Sequence, residues 1–393
     1  MRPCCLLMLA GFLSAASPGW AGEKIVKVAD DAALRAALGQ AQPGTRIQIA
    51  PGHYKPDLYI VGLKGTAAEP ITIEGADEAH PPIFDGGGEA WHLPRCAYVT
   101  MRNIAVCRQS GNGINIDDGG VYDKPAHHVV LEKIHVSDIG PEGNHDAIKL
   151  SGLDDFVVRE CTFDAWSGQA PDMVGCHRGL IENCTFKSKP GFSQGEGPQV
   201  KGGSSRVTVR RCLFLDAATR GVNLGGVTDA AVFRPAGARC EAQDVVVEGC
   251  TFVGGEAAVA YLSVGGVVRY NTIYRPKKWV LRILQENTRT GFPSTADGRF
   301  ERNLVVFRRG ELSEIANIGP HTRPETFHFA DNWWYCEDRP AASRPALPAA
   351  ESGGVYGIDP KLAAPERNDF RPLDPRAAAF GALAWKPQPR GQR

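Results

Sequence analysis

The feature that most restricts this chain is a short apolar segment that returns at irregular intervals. Aligned on one position, the copies read YVTMRNIAV, HVVLEKIHV, DFVVRECTF, HRGLIENCTF, RVTVRRCLF, DVVVEGCTF, GVVRYNTIY, GRFERNLVVF and TFHFADNWWY. The shared position is Asn103, Lys133, Cys161, Cys184, Cys212, Cys250, Asn271, Asn303 and Asn332. Two residues later most copies carry a large or branched apolar side chain, among them Phe163, Phe186, Phe214, Phe252, Ile273, Val305 and Trp334. Spacings between 21 and 38 residues describe a constant rung that carries loops of variable length.

Each repeat holds two or three short strands rich in Val, Ile and Thr, with Gly or Asn at the corners and no Asn-Gly type hairpin between them. Strands that never turn back must stack in parallel, coil on coil, at about 4.8 Å. The chain is therefore expected to be all-β, a right-handed parallel β-helix. A propeller needs four antiparallel strands in a blade of about 40 residues or more, and most of these repeats are too short for that. The 45 Gly and 28 Pro among 393 residues then become corners and loops, not domain boundaries.

The ends fit a capped solenoid. DDAALRAALGQA puts Leu34, Ala37 and Leu38 on one helical face, suited to cover the first rung. Beyond Glu337 the chain turns rich in Pro and Ala and reads as an irregular tail packed along the solenoid. The first residues, MRPCCLLMLAGFLSAASPGWA, have a single positive charge, a short apolar run and a small-residue end, the order of a secretory signal. The expected division is 1–21 signal peptide, 22–336 β-helix and 337–393 tail, with a periplasmic or secreted location and no membrane span. Cleavage after Ala21 leaves nine cysteines, an odd number, so at least one thiol stays free. Cys161, Cys184, Cys212 and Cys250 read as a ladder of small buried side chains, although neighbouring rungs are close enough for a disulfide.

Forty-four basic and 44 acidic residues give zero net charge, so no broad field gathers nucleic acid or an anionic membrane. Charged ligands need a local cluster, and one is visible. Before each ladder strand runs another: DAIKLSG, PDMVGCHRG, PQVKGGSS, RGVNLGG, VAYLSVGG, WVLRILQEN and EIANIGP. Alternation turns Lys149, Lys201 and Asn223 outward, and counting back from the ladder puts Asp172 in register with Lys149. Lys149, Asp172, Lys201 and Asn223 are thus expected to form one outward column, a floor for a polymer. His145, Asp146, His177, Arg178, Glu196, Arg220, Arg234, Arg282, Gln285 and Glu286 surround it in the sequence.

These residues resemble those of secreted polysaccharide-active β-helix proteins, most closely the chondroitinase B and alginate lyase family. The capped opening with PGTRIQIAPGHY is similar to that family's start, and Glu196 lies five positions before Lys201, with Arg220 nineteen after it. The resemblance implies a lyase that cleaves a uronate polymer by β-elimination. It implies Lys201 as base, Arg220 as its assistant, and Glu196 with Asp172 as calcium ligands. The other position where the family has a calcium carboxylate holds Gln194, and Asn223 or Leu224 aligns with the family's arginine. His145 and His177 are substitute bases, and Lys149, Asn223, Arg234 and Arg282 are substrate contacts. The expected partner is an acidic polysaccharide or oligosaccharide and the expected state a monomer. Other classes stay open on the same residues: a glycoside hydrolase using Asp146, Asp172 and Glu196, an epimerase, and a non-catalytic carbohydrate-binding solenoid.

Overall fold

A computed structural model describes residues 24–192 and 195–387; the expected signal peptide and Gln194 lie outside them. The chain is a right-handed parallel β-helix. Strand Lys24–Val28 pairs in parallel with Thr45–Ile49, and between them the helix Asp31–Gly39 closes the first coil. Asp30 caps this helix, its carboxylate accepting the Ala33 N–H at 2.8 Å. Leu34, Ala37 and Leu38 are buried, as the sequence pattern requires.

Each coil then contributes strands to three faces. On the ladder face Thr162–Trp166, Thr185–Lys187, Leu213–Leu215, Thr251–Val253 and Thr272–Tyr274 stack in parallel, each on the next. Their inward side chains form the core. Phe163, Phe186, Phe214 and Phe252 stack in a column with nearly parallel rings, their centroids 4.9, 4.6 and 4.5 Å apart.

The register moves the first two ladder positions by one residue. Ile134 pairs with Ile104, and His135 with Thr162, so the ladder begins Ile104, Ile134, Cys161 rather than Asn103, Lys133, Cys161. Asn103 and Lys133 occupy the corner before it, in left-handed backbone with φ of 55° and 52°. Toward the C-terminus the ladder is made of amides: Asn271 donates to Asn303 Oδ1 and Asn303 to Asn332 Oδ1, both at 3.0 Å. It ends on Glu351, which accepts from Asn332 Nδ2 at 2.7 Å. In the middle coils the cysteine thiols take this place, pointing at backbone carbonyls such as Leu131 and Val158 at 3.6 Å. All nine cysteines among the described residues are free thiols.

Solenoid pairing continues beyond residue 336, where the sequence placed its end. Glu351–Ser352 and Val355–Tyr356 add a last partial coil to His328–Ala330 and Trp333–Cys336. The Pro-rich segment is an excursion within that coil, because proline withdraws donors from the ladder without preventing the chain from returning. The remaining tail runs back along the ladder face: Trp333 Nε1 donates to Ile358 O at 2.9 Å, and Trp385 lies over Arg210 and Arg211. No helix among the described residues is long and apolar enough to cross a membrane.

Candidate functional site

The second strand of each coil belongs to a separate ten-stranded parallel sheet. Its register fixes one outward column: His92, Asn115, Lys149, Asp172, Gln199 and Asn223, then Ala260, Arg282 and Asn317. Lys149, Asp172 and Asn223 stand where the sequence put them. Lys201 does not: it pairs in register with Val174, and Gln199 fills the column. The cause is the Gly202-Gly203 corner. Three residues separate Lys201 from Ser205, whereas two separate Val174 from His177, their partners in register, so a constant count back from the ladder slips here.

Lys201 nevertheless reaches the column from the adjacent row of the same face. Its Nζ lies 3.1 Å from Asp172 Oδ1 and donates to Gln199 Oε1 at 2.9 Å. The other Asp172 oxygen accepts from Lys149 Nζ. Asp172 is fully buried, while the side chains of Lys149 and Lys201 keep 24% and 14% exposure. The solvent therefore meets two ammonium groups anchored on one carboxylate beneath them.

Asp146 completes the cluster. Its Oδ2 lies 3.4 Å from Lys149 Nζ, and its Oδ1 accepts the Gln169 N–H at 2.8 Å. Burial, and then the charge of Asp172, push the Asp146 carboxyl up to about 7. Burial acts on Lys149 in the opposite direction, but Asp172 and Asp146 overcome it and hold this ammonium above its usual range. One group of the cluster thus exchanges protons near neutrality, and another stays charged.

A second line of residues borders the column. Gln169, Glu196 and Arg220 align through successive parallel bridges. Gln169 Nε2 donates to Glu196 Oε2 at 2.9 Å, Glu196 Oε1 lies 3.9 Å from Arg220 Nη1, and Arg220 Nη1 lies 2.8 Å from Glu286 Oε1. Farther along, Arg282 stacks on Trp279 with its guanidinium carbon 4.1 Å from the ring centre and donates to Asn317 Oδ1 at 2.9 Å. Several buried polar atoms on this face have no protein partner: both side-chain atoms of Asn223, Gln169 Oε1 and Arg220 Nε. Unpaired groups of this kind collect where a polar ligand is handled.

Three expected residues are placed elsewhere. Arg234 is buried, forked onto Asp118 with Nη2 to Oδ1 at 3.0 Å and stacked on Tyr122 at 4.1 Å; it fastens a loop and is not available to substrate. His177 lies around the corner on another sheet, its Nδ1 2.9 Å from Ser205 Oγ. The His145 ring packs against the turn at Gly140 and Gly143. Sequence spacing cannot distinguish these positions, because a corner of one or two residues decides which face a side chain joins. Asp146, which the sequence offers as a carboxylate of the hydrolase reading, lies buried beside Lys149, while Gln169 and Gln199 join the site without any signal that the sequence singled out. The available signal for Asp146 was its place three residues before Lys149, opposite in charge.

Glu196 and Asp172 do not fit a calcium site. Calcium takes six to eight oxygen ligands, whereas Asp172 faces two ammonium groups and Glu196 an amide and a guanidinium. No group of three or more His, Cys, Asp or Glu able to hold a metal occurs among the described residues.

Comparison with known proteins agrees on architecture. A family model described as right handed beta helix region matches residues 112–290. With the parallel register of every coil, this gives the class: the protein is a right-handed parallel β-helix. Among solved structures it is similar to a PL6 family polysaccharide lyase from Pseudopedobacter saltans, with 14% identity, coverage of 92% of this chain and 100% of that one, and a TM-score of 0.57. It is also similar to an alginate lyase from Paenibacillus sp. str. FPU-7, with 17% identity, 77% and 100% coverage and a TM-score of 0.56. A GH136 lacto-N-biosidase from Eubacterium ramulus shares the fold at 11% identity, with 85% and 68% coverage and a TM-score of 0.53. No curated protein matches the sequence. At these identities the likeness concerns the fold alone.

Proposed function

We propose that this protein is a polysaccharide-active enzyme that cleaves a uronate-containing chain by β-elimination on the ten-stranded face. The observation that carries the proposal is the pair of partly exposed ammonium groups, Lys149 and Lys201, sharing the buried Asp172 carboxylate. Abstraction of the proton beside a uronate carboxylate requires that carboxylate to be neutralised and a base to be close. Lys149 is compensated by two carboxylates and stays a cation, so with Arg220 it meets the substrate carboxylate. Lys201 shares only Asp172 and, in its neutral form and held in direction by Gln199, takes the proton and returns it to the glycosidic oxygen as the C–O bond breaks. Asp146, raised to about 7 by burial and the charge of Asp172, tunes the charge beside Lys149 by its own protonation.

The test is turnover of alginate and polygalacturonate, read by ultraviolet absorbance of the unsaturated product and by reducing ends together. Loss of both signals in Lys201→Ala and in Lys201→Arg is expected, since arginine keeps the charge but is not a base. Unaltered turnover by Lys201→Ala would sink the assignment. A second reading is favoured by the raised Asp146: a glycoside hydrolase with Asp146 as general acid. It gives reducing ends with no absorbance, and loses activity in Asp146→Asn.

A further inference from the structure

One corner beyond the catalytic face, a second outward column runs the same way along the solenoid. Ala97, His127, Asp154, His177, Ser205 and Gln243 align in parallel register, coil after coil, over about 24 Å. Lys64 extends the row by a bridge to Ala97. Beside it, the residue that turns each corner adopts left-handed backbone in six successive coils, from Tyr98 at 52° to Asp244 at 53°. The corner is therefore a regular structure of the fold and not a loop irregularity.

Two cavities open onto this column. One, of about 540 Å³, is lined by Lys64, Arg95, Lys124 and His127; the other, of about 470 Å³, by His177, Arg178, Arg206 and Arg239. Their charge state differs from that of the catalytic face. Lys64, Arg95, Lys124, Arg206 and Arg239 are exposed and have no carboxylate partner among the described residues. Only Arg178 is neutralised, by Asp154 and Asp155. Between the cavities Asp154 Oδ1 is buried without a hydrogen-bond partner.

We infer that this corner is a second binding track for an acidic polysaccharide, distinct from the face where the chain is cut. Exposed cations at both ends of the column, Lys64, Arg95 and Lys124 in one cavity and Arg206 and Arg239 in the other, suit a chain that carries carboxylates at intervals along its length. The unpaired Asp154 oxygen requires a donor, which the hydroxyls of a sugar chain supply and a phosphodiester backbone does not. The inference rests on the glycan class of the proposed function, but on none of its catalytic residues.

The experiment measures binding of a size-defined alginate oligosaccharide, long enough to span the column, to the full protein carrying Lys201→Ala. Adding Lys64→Gln, Lys124→Gln and Arg206→Gln together is expected to weaken binding at least tenfold and to flatten its salt dependence. A neutral dextran of equal length is expected not to bind. Undiminished affinity in the combined variant would overturn the inference, as would equal affinity for an oligothymidylate of the same charge. If the track binds alginate and the native protein produces neither absorbance nor reducing ends from it, the proposed catalysis fails and the binding track stands.

Discussion

The ten-stranded face and the corner beside it carry charges of the same kind but dispose of them in opposite ways. On the face, Lys149, Lys201 and Arg220 each sit against a carboxylate, with Asp172 and Asp146 buried beneath. On the corner, Lys64, Lys124 and Arg206 have no such partner and stand in solvent. A buried carboxylate has lost its water, so its counter-ions are part of the fold. An exposed ammonium is already satisfied by water, and its field is free to act on a ligand. Neutralised charges in a low-dielectric floor suit chemistry, whereas bare charges on a rim suit capture.

This contrast is broken most directly by removing both lysines from Asp172. Lys149→Ala with Lys201→Ala strands a fully buried carboxylate, and unfolding by urea is expected to show a loss of about 4 kcal/mol. Adding Asp172→Asn to that double variant should recover part of it, because the uncompensated charge is gone. If the double variant is as stable as the native protein, the face is no more internally neutralised than the corner.

Acidity provides the next test. A carboxyl raised in the folded state binds protons that the unfolded chain has already released, so folding loses stability as pH climbs from the ordinary carboxylate range near 4 to the Asp146 value of about 7. Above that window this group adds no further slope. Melting temperature followed from pH 4 to 8 should lose that part of its decline in Asp146→Asn, whereas neutralising corner lysines should leave the profile unchanged.

Smaller still is the effect expected at the corner itself. Lys64→Gln, Lys124→Gln and Arg206→Gln are expected to change unfolding free energy by only about 0.5 kcal/mol each, as for surface charges without partners. A larger loss would show that these cations support the fold. The smallest response belongs to the interior: Cys161, Cys184, Cys212 and Cys250 should resist alkylation in the native protein, while half-buried Cys240 reacts, as mass spectrometry of labelled peptides can read.

Much of the fold was legible because a β-helix repeats its packing. Phe163, Phe186, Phe214 and Phe252 announce one column by occurring at one phase, and the αL corners tolerate whatever residue precedes the ladder. The first two ladder positions were misread for the same reason: Asn103 and Lys133 look like ladder polar residues, but Ile104 and Ile134 fill the core. The site was legible in part. Lys149 above Asp172 follows from strand alternation and a conserved count to the ladder. Lys201 reached the cluster for a different reason from the one its sequence position implied, and His177 and Arg234 were lost to the neighbouring face and to a loop.

What the sequence alone determined is periodic and local: the parallel coil, its apolar ladders, the helical cap and the outward direction of each strand's alternate residues. These depend on contacts between equivalent positions of successive coils, which repetition spells out. The tertiary structure decided the rest, namely which carboxylate lies under which lysine, where the solenoid stops, and that bare cations collect on one corner. Those outcomes turn on corners that differ by a single residue, and on the desolvation of groups far apart in the chain, which no spacing along one strand encodes.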